Sequence, residues 1–147
     1  MKKILLVMIV VLFTATSAFC DQFEDAVKMA EQGDAAAQYK LGEIYAKGYE
    51  DDVPQDHKKA AYWYKKAAEQ GYADAQHNLG YMYAEGQGVP QDLKLAYVWS
   101  SLAAAQGKGI NNRDVIAKML TPQQLSEAQD QAAAMQSQIE SQTKTKE

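Results

Sequence analysis

One cysteine, one arginine and two histidines are all that this chain of 147 residues offers of the side chains that form disulfides, clamp phosphates and hold soft metals. A single thiol, Cys20, cannot close a disulfide within the chain. A metal site generally needs three or four ligands at suitable spacing. His57 and His77 are not four apart on a helix, and no cysteine pair accompanies them, so no metal or other cofactor is expected. The single arginine, Arg113, and an interspersed pattern of acids and bases leave no basic stripe. Phosphate backbones need clustered Lys and Arg. Nucleic acid and anionic membrane surfaces are therefore not expected partners of a chain with net charge −4. Long apolar runs are equally scarce. The one present, Ile4 to Phe13, is too short for a comfortable membrane-spanning helix of about 20 residues. Bulky aliphatics are outnumbered by alanine in the remainder, which points to close helix packing.

That apolar run follows Lys2 and Lys3 and precedes the small or weakly polar stretch Thr14 to Cys20. This is the order of a bacterial secretory signal peptide. Cleavage fits after Ala18 or after Cys20. The second is preferred, because Asp21 then opens an amphipathic helix. Lipidation at Cys20 is a further alternative that Phe19, directly before it, fits poorly. Loss of residues 1–20 removes two lysines and no acid, and shifts the net charge from −4 to −6. The expected location is periplasmic or secreted, with no stable membrane insertion after cleavage.

What the chain does have is a duplicated text. Residues 33–48, GDAAAQYKLGEIYAKG, match residues 71–86, GYADAQHNLGYMYAEG, at 9 of 16 positions. Residues 53–71 match residues 89–107 at 11 of 19. A period of 36 to 38 residues with two helix-like halves is the mark of an α-solenoid, whose units bury their apolar faces only by stacking. The expected fold is all-α: a right-handed solenoid of antiparallel helix pairs, two full repeats (35–70 and 73–106) between helical caps. Domain bounds follow as signal peptide 1–20, solenoid 21–140 and flexible tail 141–147.

Within each repeat, Ala37, Leu41 and Tyr45, and likewise Ala75, Leu79 and Tyr83, recur every four residues and mark the inward face of a helix A. Gly42 and Gly80 follow the leucines in mid-helix, where glycine costs about 1 kcal/mol relative to alanine. The same cost at the same place twice implies that another helix comes too close for a Cβ. Asp56 and Asp92 are N-cap candidates for the two helices B, and Gly71 suits the C′ position of the first. Trp63, Trp99, Tyr45 and Tyr83 are assigned to helix packing. A half-repeat helix, Asp21 to Gln32, precedes the array. Asn111 to Leu120 and Pro122 to Ile139 close it, the latter opened by a Thr121–Gln124 capping box. Its seam of Leu125, Ala128, Ala132, Met135 and Ile139 either covers the last repeat, the preferred reading, or pairs with a second copy. A monomer is the expected state.

The spaced text of repeat two, Leu79-Gly80, Tyr83, Gly86, Gly88-Val89, Asp92, Lys94, Ala96, Trp99, Ala103-Ala104 and Gly107, resembles the Sel-one-like repeat, a branch of the tetratricopeptide-repeat superfamily. Repeat one departs by a two-residue loop insertion, with Glu50 where the second loop glycine would stand. The resemblance covers about residues 30 to 125 and implies a non-catalytic scaffold or adaptor for a protein or peptide. It does not imply an enzyme. A cysteine-rich, β-lactam-hydrolysing branch of the family carries a cysteine pair in each repeat, and none exists here. A small envelope enzyme acting on cell-wall material or β-lactams is the alternative class.

Helices A line the concave surface of such a stack. Residues two before and two after each leucine leave the buried face by helical geometry, which selects Tyr39 and Glu43, then His77 and Tyr81; Lys47 and Glu85 follow one turn on. These six are the candidate partner-binding residues. Ser141-x-x-Lys144 formally matches a nucleophilic motif but sits in a polar tail. The Gly86–Gly88 loop lacks the strand a phosphate cradle requires, and Glu50-Asp51-Asp52 reads as a solvated acidic loop.

Overall fold

The structure, a computed structural model, describes residues 23–49 and 53–145. The leader, both cleavage points and the Glu50-Asp51-Asp52 loop lie outside the described residues. Helix α1 occupies residues 23–31. Then follow α2 (Ala35–Lys47), α3 (His57–Glu69), α4 (Ala73–Glu85), α5 (Leu93–Ala105), α6 (Ile110–Met119) and α7 (Pro122–Thr145). The described residues hold no strand beyond one bridge, Tyr49 with Val53, which closes the neck of the longer loop.

Each helix pair is tied by the same Val-Pro-Gln-Asp text. Asp56 and Asp92 accept from the backbone N–H groups of the second and third helical residues, as the N-cap reading expects. The glutamine before each aspartate reaches the other way. Gln55 donates to the carbonyl of Ala46 and Gln91 to that of Ala84, so the loose C-terminal carbonyls of helix A are satisfied from the start of helix B. Thr121 and Gln124 form the reciprocal capping box: each backbone N–H bonds the other's side-chain oxygen.

Leu41 and Leu79 are fully buried, as is Ala75, and Ala37 is nearly so. Tyr45 and Tyr83 are half-buried and pack against the main core. Trp99 is 3% exposed in that core, whereas Trp63, its counterpart one repeat earlier, is half-buried against the smaller cluster of Ala30, Ala37 and Leu41. The core is thus thick from α3 to α7 and thin at the N-terminal end.

Gly42 and Gly80 do mark close approach. A Cβ on Gly42 would overlap the edge of the Tyr64 ring; one on Gly80 would stand 2.6 Å from the Ser100 hydroxyl and 3.1 Å from its backbone nitrogen. Tyr64 and Ser100 are the same position in successive helices B. Gly80→Ala gains helix propensity, about 1 kcal/mol, but overpacks a site bounded by backbone, which costs about 1–3 kcal/mol. A lower melting temperature by circular dichroism is the expected result; an increase would show that α5 can withdraw.

The closing helix departs from expectation at its end. It does not stop near Ile139 with a loose tail over 141–147 but continues to Thr145. No apolar residue follows Ile139, so periodicity has nothing to report there. The helix continues because Gln, Glu and Lys are good helix formers; the Ser141, Thr143 and Thr145 hydroxyls, which favour a helix less, find partners in carbonyls one turn back. The seam itself, with Ala128, Ala132 and Ile139 buried, is packed within the chain.

Candidate functional site

The most conserved-looking device between the two copies is a glutamine relay that the apolar pattern does not announce. Gln38 and Gln76, one in each helix A, are 4% and 0% exposed. Gln38 donates to the carbonyl of Ala30 at 3.0 Å, and Gln76 to that of Ala68 at 3.1 Å, each at the end of the preceding helix. Their own side-chain carbonyls accept from Gln70 at 2.8 Å and Gln106 at 3.0 Å. Gln70 and Gln106 also donate to the carbonyls of Gly33 and Gly71. Three successive helices are pinned at one end by this arrangement, which sets the register in which the A helices stand side by side.

On that frame the structure brings three of the six candidate residues together. Tyr39 lies beside Glu43, whose charge raises its pKa, and Glu43 pairs with Lys47 at 3.2 Å and Lys40 at 3.9 Å. Tyr39 is half-buried and its ring stacks on Tyr72, with centroids 5.0 Å apart, and lies 5.7 Å from Tyr64. Next to Tyr72 stands Asp74, paired with Lys108 at 2.9 Å. The result is a surface strip running from α2 through the α3–α4 turn to the α5–α6 turn, aromatic at its centre and charged with both signs at each end.

His77, Tyr81 and Glu85 share one face of α4 by their spacing of four. Tyr81 is 45% exposed and Glu85 is exposed. His77 is less available than its sequence position suggests. Its ring abuts Gly109, where any Cβ would overlap Nδ1, and that nitrogen is buried without a hydrogen-bond partner. His77 is therefore half-buried beneath the α5–α6 turn. Among the described residues no group of three or more His, Cys, Asp or Glu is arranged to hold a metal ion, and no helix is long and apolar enough to cross a membrane.

Tyr72, Asp74 and Lys108 were not selected by helical geometry. A signal did exist. Asp34 precedes α2 and caps it through the Ala37 N–H; at the matching place before α4 stands Tyr72, which makes no cap. A cap contributes about 0.5–2 kcal/mol. The second repeat gives up that stabilisation and gains an aromatic stacked on Tyr39.

Burial pushes the Tyr64 hydroxyl up to about 12, opposed by a hydrogen bond with Asn78 and reinforced by Tyr39 and Glu43. Tyr39 is also raised, by burial first and the Glu43 charge second. A tyrosine whose folded pKa exceeds its unfolded value, about 10, contributes stability that is complete below pH 10 and lost as pH rises through 12. The melting temperature should therefore fall steeply between pH 10 and 12, by an amount on the order of 2 kcal/mol in stability for Tyr64. Tyr64→Phe should flatten that fall; a variant as alkali-sensitive as the parent would show that Tyr64 ionises freely in the folded chain.

Comparison with known proteins agrees with the geometry. The Sel1 repeat model matches residues 35–72 and 73–108. A crystal structure of c5321, a protective antigen of uropathogenic Escherichia coli strains with an SLR fold, superposes with a TM-score of 0.74 at 35% identity, over 80% of this chain and 25% of that one. A Sel1 repeat protein from Oxalobacter formigenes superposes with a TM-score of 0.58 at 42% identity, over 65% of this chain and 27% of that one. No curated protein sequence matches. The helix pairs thus form the right-handed solenoid of this class. The chain belongs to the Sel1 repeat family, whose repeats generally serve as non-catalytic scaffolds for protein–protein interaction. It spans about a quarter of the length of these two solved relatives.

Proposed function

We propose that this chain is a monomeric, non-catalytic binding module of the bacterial cell envelope, exported through its leader to the periplasm or beyond, where it holds a protein or peptide segment along the face formed by its A helices. The observation that carries the reading is the Tyr39–Tyr72 stack flanked by the Glu43–Lys47 and Asp74–Lys108 pairs, with Tyr81 exposed on the next helix A. Rigid, half-buried aromatics contribute large contact area at low entropic cost. Surrounding charges of both signs select orientation more than they add affinity. The export reading rests on residues 1–20 alone.

A photo-crosslinking amino acid placed at Tyr81 tests the face in the native envelope. Specific adducts at Tyr81, absent from an outward-facing position such as Tyr62, are expected; equal labelling at both overturns the assignment. The N-terminus of the exported protein reports the location and the cleavage point in the same preparation.

A further inference from the structure

The two ends of the array differ. At the N-terminal end, α1 is a helix B with no helix A before it among the described residues. Shifting by 38 residues makes the comparison concrete. Met29 stands where Ala67 stands one repeat later, Ala26 where Tyr64 stands, and Ile44 where Met82 stands. Within the array those places are covered: α2 lays Tyr39, Tyr45 and Ala46 against the cluster containing Ala67, 0% exposed, and Met82, 4% exposed. At the end of the array Met29 is 48% exposed and Ile44 is only half-buried. Between α1 and α2 runs a groove of about 620 Å³ floored by Ala26, Met29, Ala37 and Ile44, with Lys40 and Lys47 on its rim.

We infer that this groove is a docking slot for an amphipathic helix of a partner protein, which takes the place that a helix A would hold ahead of α1 and extends the stack by one element. The inference rests on the protein-binding reading above and adds a neighbouring surface that meets the first at Glu43 and Lys47. Its basis is continuity: the groove repeats, one unit earlier, the place where α2 lays Tyr39, Tyr45 and Ala46 against the main core, and Met29 is 48% exposed there. The interface also states what the occupant must be. It is a helix of about three to four turns with apolar residues at the places that Tyr39, Tyr45 and Ala46 hold in α2. It need not carry the glycine of helices A. That glycine exists to clear Tyr64 or Ser100, and the matching wall here is Ala26, which leaves room for a side chain.

The probe is a fluorescein-labelled peptide with the text of Ala35–Lys47 carrying Gly42→Ala, titrated by anisotropy against the chain from Asp21 to Glu147, which contains every described helix. Saturable binding is expected. Met29→Glu and Ile44→Glu, each at an accessible position and checked for an unchanged melting temperature, should weaken it tenfold or more, and Tyr81→Ala should leave it unaltered. Absence of binding, or binding indifferent to both groove substitutions, overturns the slot while leaving the A-helix face to the crosslinking test. Concentration-dependent dimerisation abolished by Met29→Glu assigns the slot to a second copy and overturns the partner helix. Binding by the chain from Asp21 but not by the full chain assigns it to the leader, with the same consequence.

Discussion

Trp99→Ala should lower stability by about 3–5 kcal/mol, the cost of deleting a buried large aromatic, and the melting temperature by roughly 10–20 °C for a domain of this size. The side chain is 3% exposed and lies in the core cluster shared by α3, α4, α5, α6 and α7. That position is the reason for the size of the effect. In a solenoid each helix contacts only its neighbours, but α5 packs against α4 on one side and against α6 and α7 on the other. A void at Trp99 therefore loosens the second repeat and both closing helices together. Trp63 supplies the control. It occupies the same place in repeat one, yet is half-buried beside the small N-terminal cluster, so Trp63→Ala should cost distinctly less. Thermal denaturation followed by circular dichroism measures both. Equal losses, or an unchanged melting temperature for Trp99→Ala, would show that the core is not centred on α5.

The contrast between the two tryptophans also shows what one sequence can convey. Both stand at one position of a duplicated text, and the text assigns both to packing. Their unequal burial depends on how many neighbours follow in the stack, which is a property of the array and not of the repeat. The helices themselves were legible because three signals coincide: apolar spacing by four, glycine at helix ends, and aspartate or threonine at helix starts. Gly42 and Gly80 were legible as close contacts because a residue that is unfavourable in mid-helix appears twice in register. Where no such conflict exists, nothing stands out. The last turn and a half of α7 follows from ordinary helix propensity, and polarity alone suggested a tail.

The candidate site was half legible. Helical geometry selected Tyr39 and Glu43, which the fold sets side by side, and Lys47, which pairs with Glu43. It could not find Tyr72, Asp74 or Lys108, because they enter the strip from turns, where no periodicity operates. Nor could it show that His77 lies half-buried, because that depends on where the α5–α6 turn crosses it. A difference between the copies marked the aromatic centre of the strip, where Tyr72 stands in place of the Asp34 cap. Identities between the copies located the frame, and the polar identities were the more informative ones.

Gln76→Leu is the sharpest test of that frame, with an expected loss of about 2–4 kcal/mol. Leucine nearly matches the volume of glutamine, so the change creates little cavity. What it removes is the donor to the Ala68 carbonyl and the acceptor for Gln106. Gln76 is fully buried, and a buried polar group left unpaired costs about 1–3 kcal/mol. Gln106 is exposed and can turn to water, so its share is small; the stranded Ala68 carbonyl carries most of the effect, with loss of the shared register between α3, α4 and α5 adding to it. Gln76→Glu separates the hydrogen bonds from packing. An ionised carboxylate would set acceptor against acceptor at Ala68, so stability at pH 7 should fall at least as far as for leucine. Protonation restores a donor. Because burial and the facing carbonyl raise the folded-state pKa of that acid above its unfolded value, about 4.3, stability should recover as pH falls through the raised value and be lost as pH rises through it. Denaturant unfolding of both variants between pH 4 and 7 distinguishes the cases. A leucine variant as stable as the parent, together with a glutamate variant insensitive to pH, would mean that close packing of the small residues alone holds the helices in register.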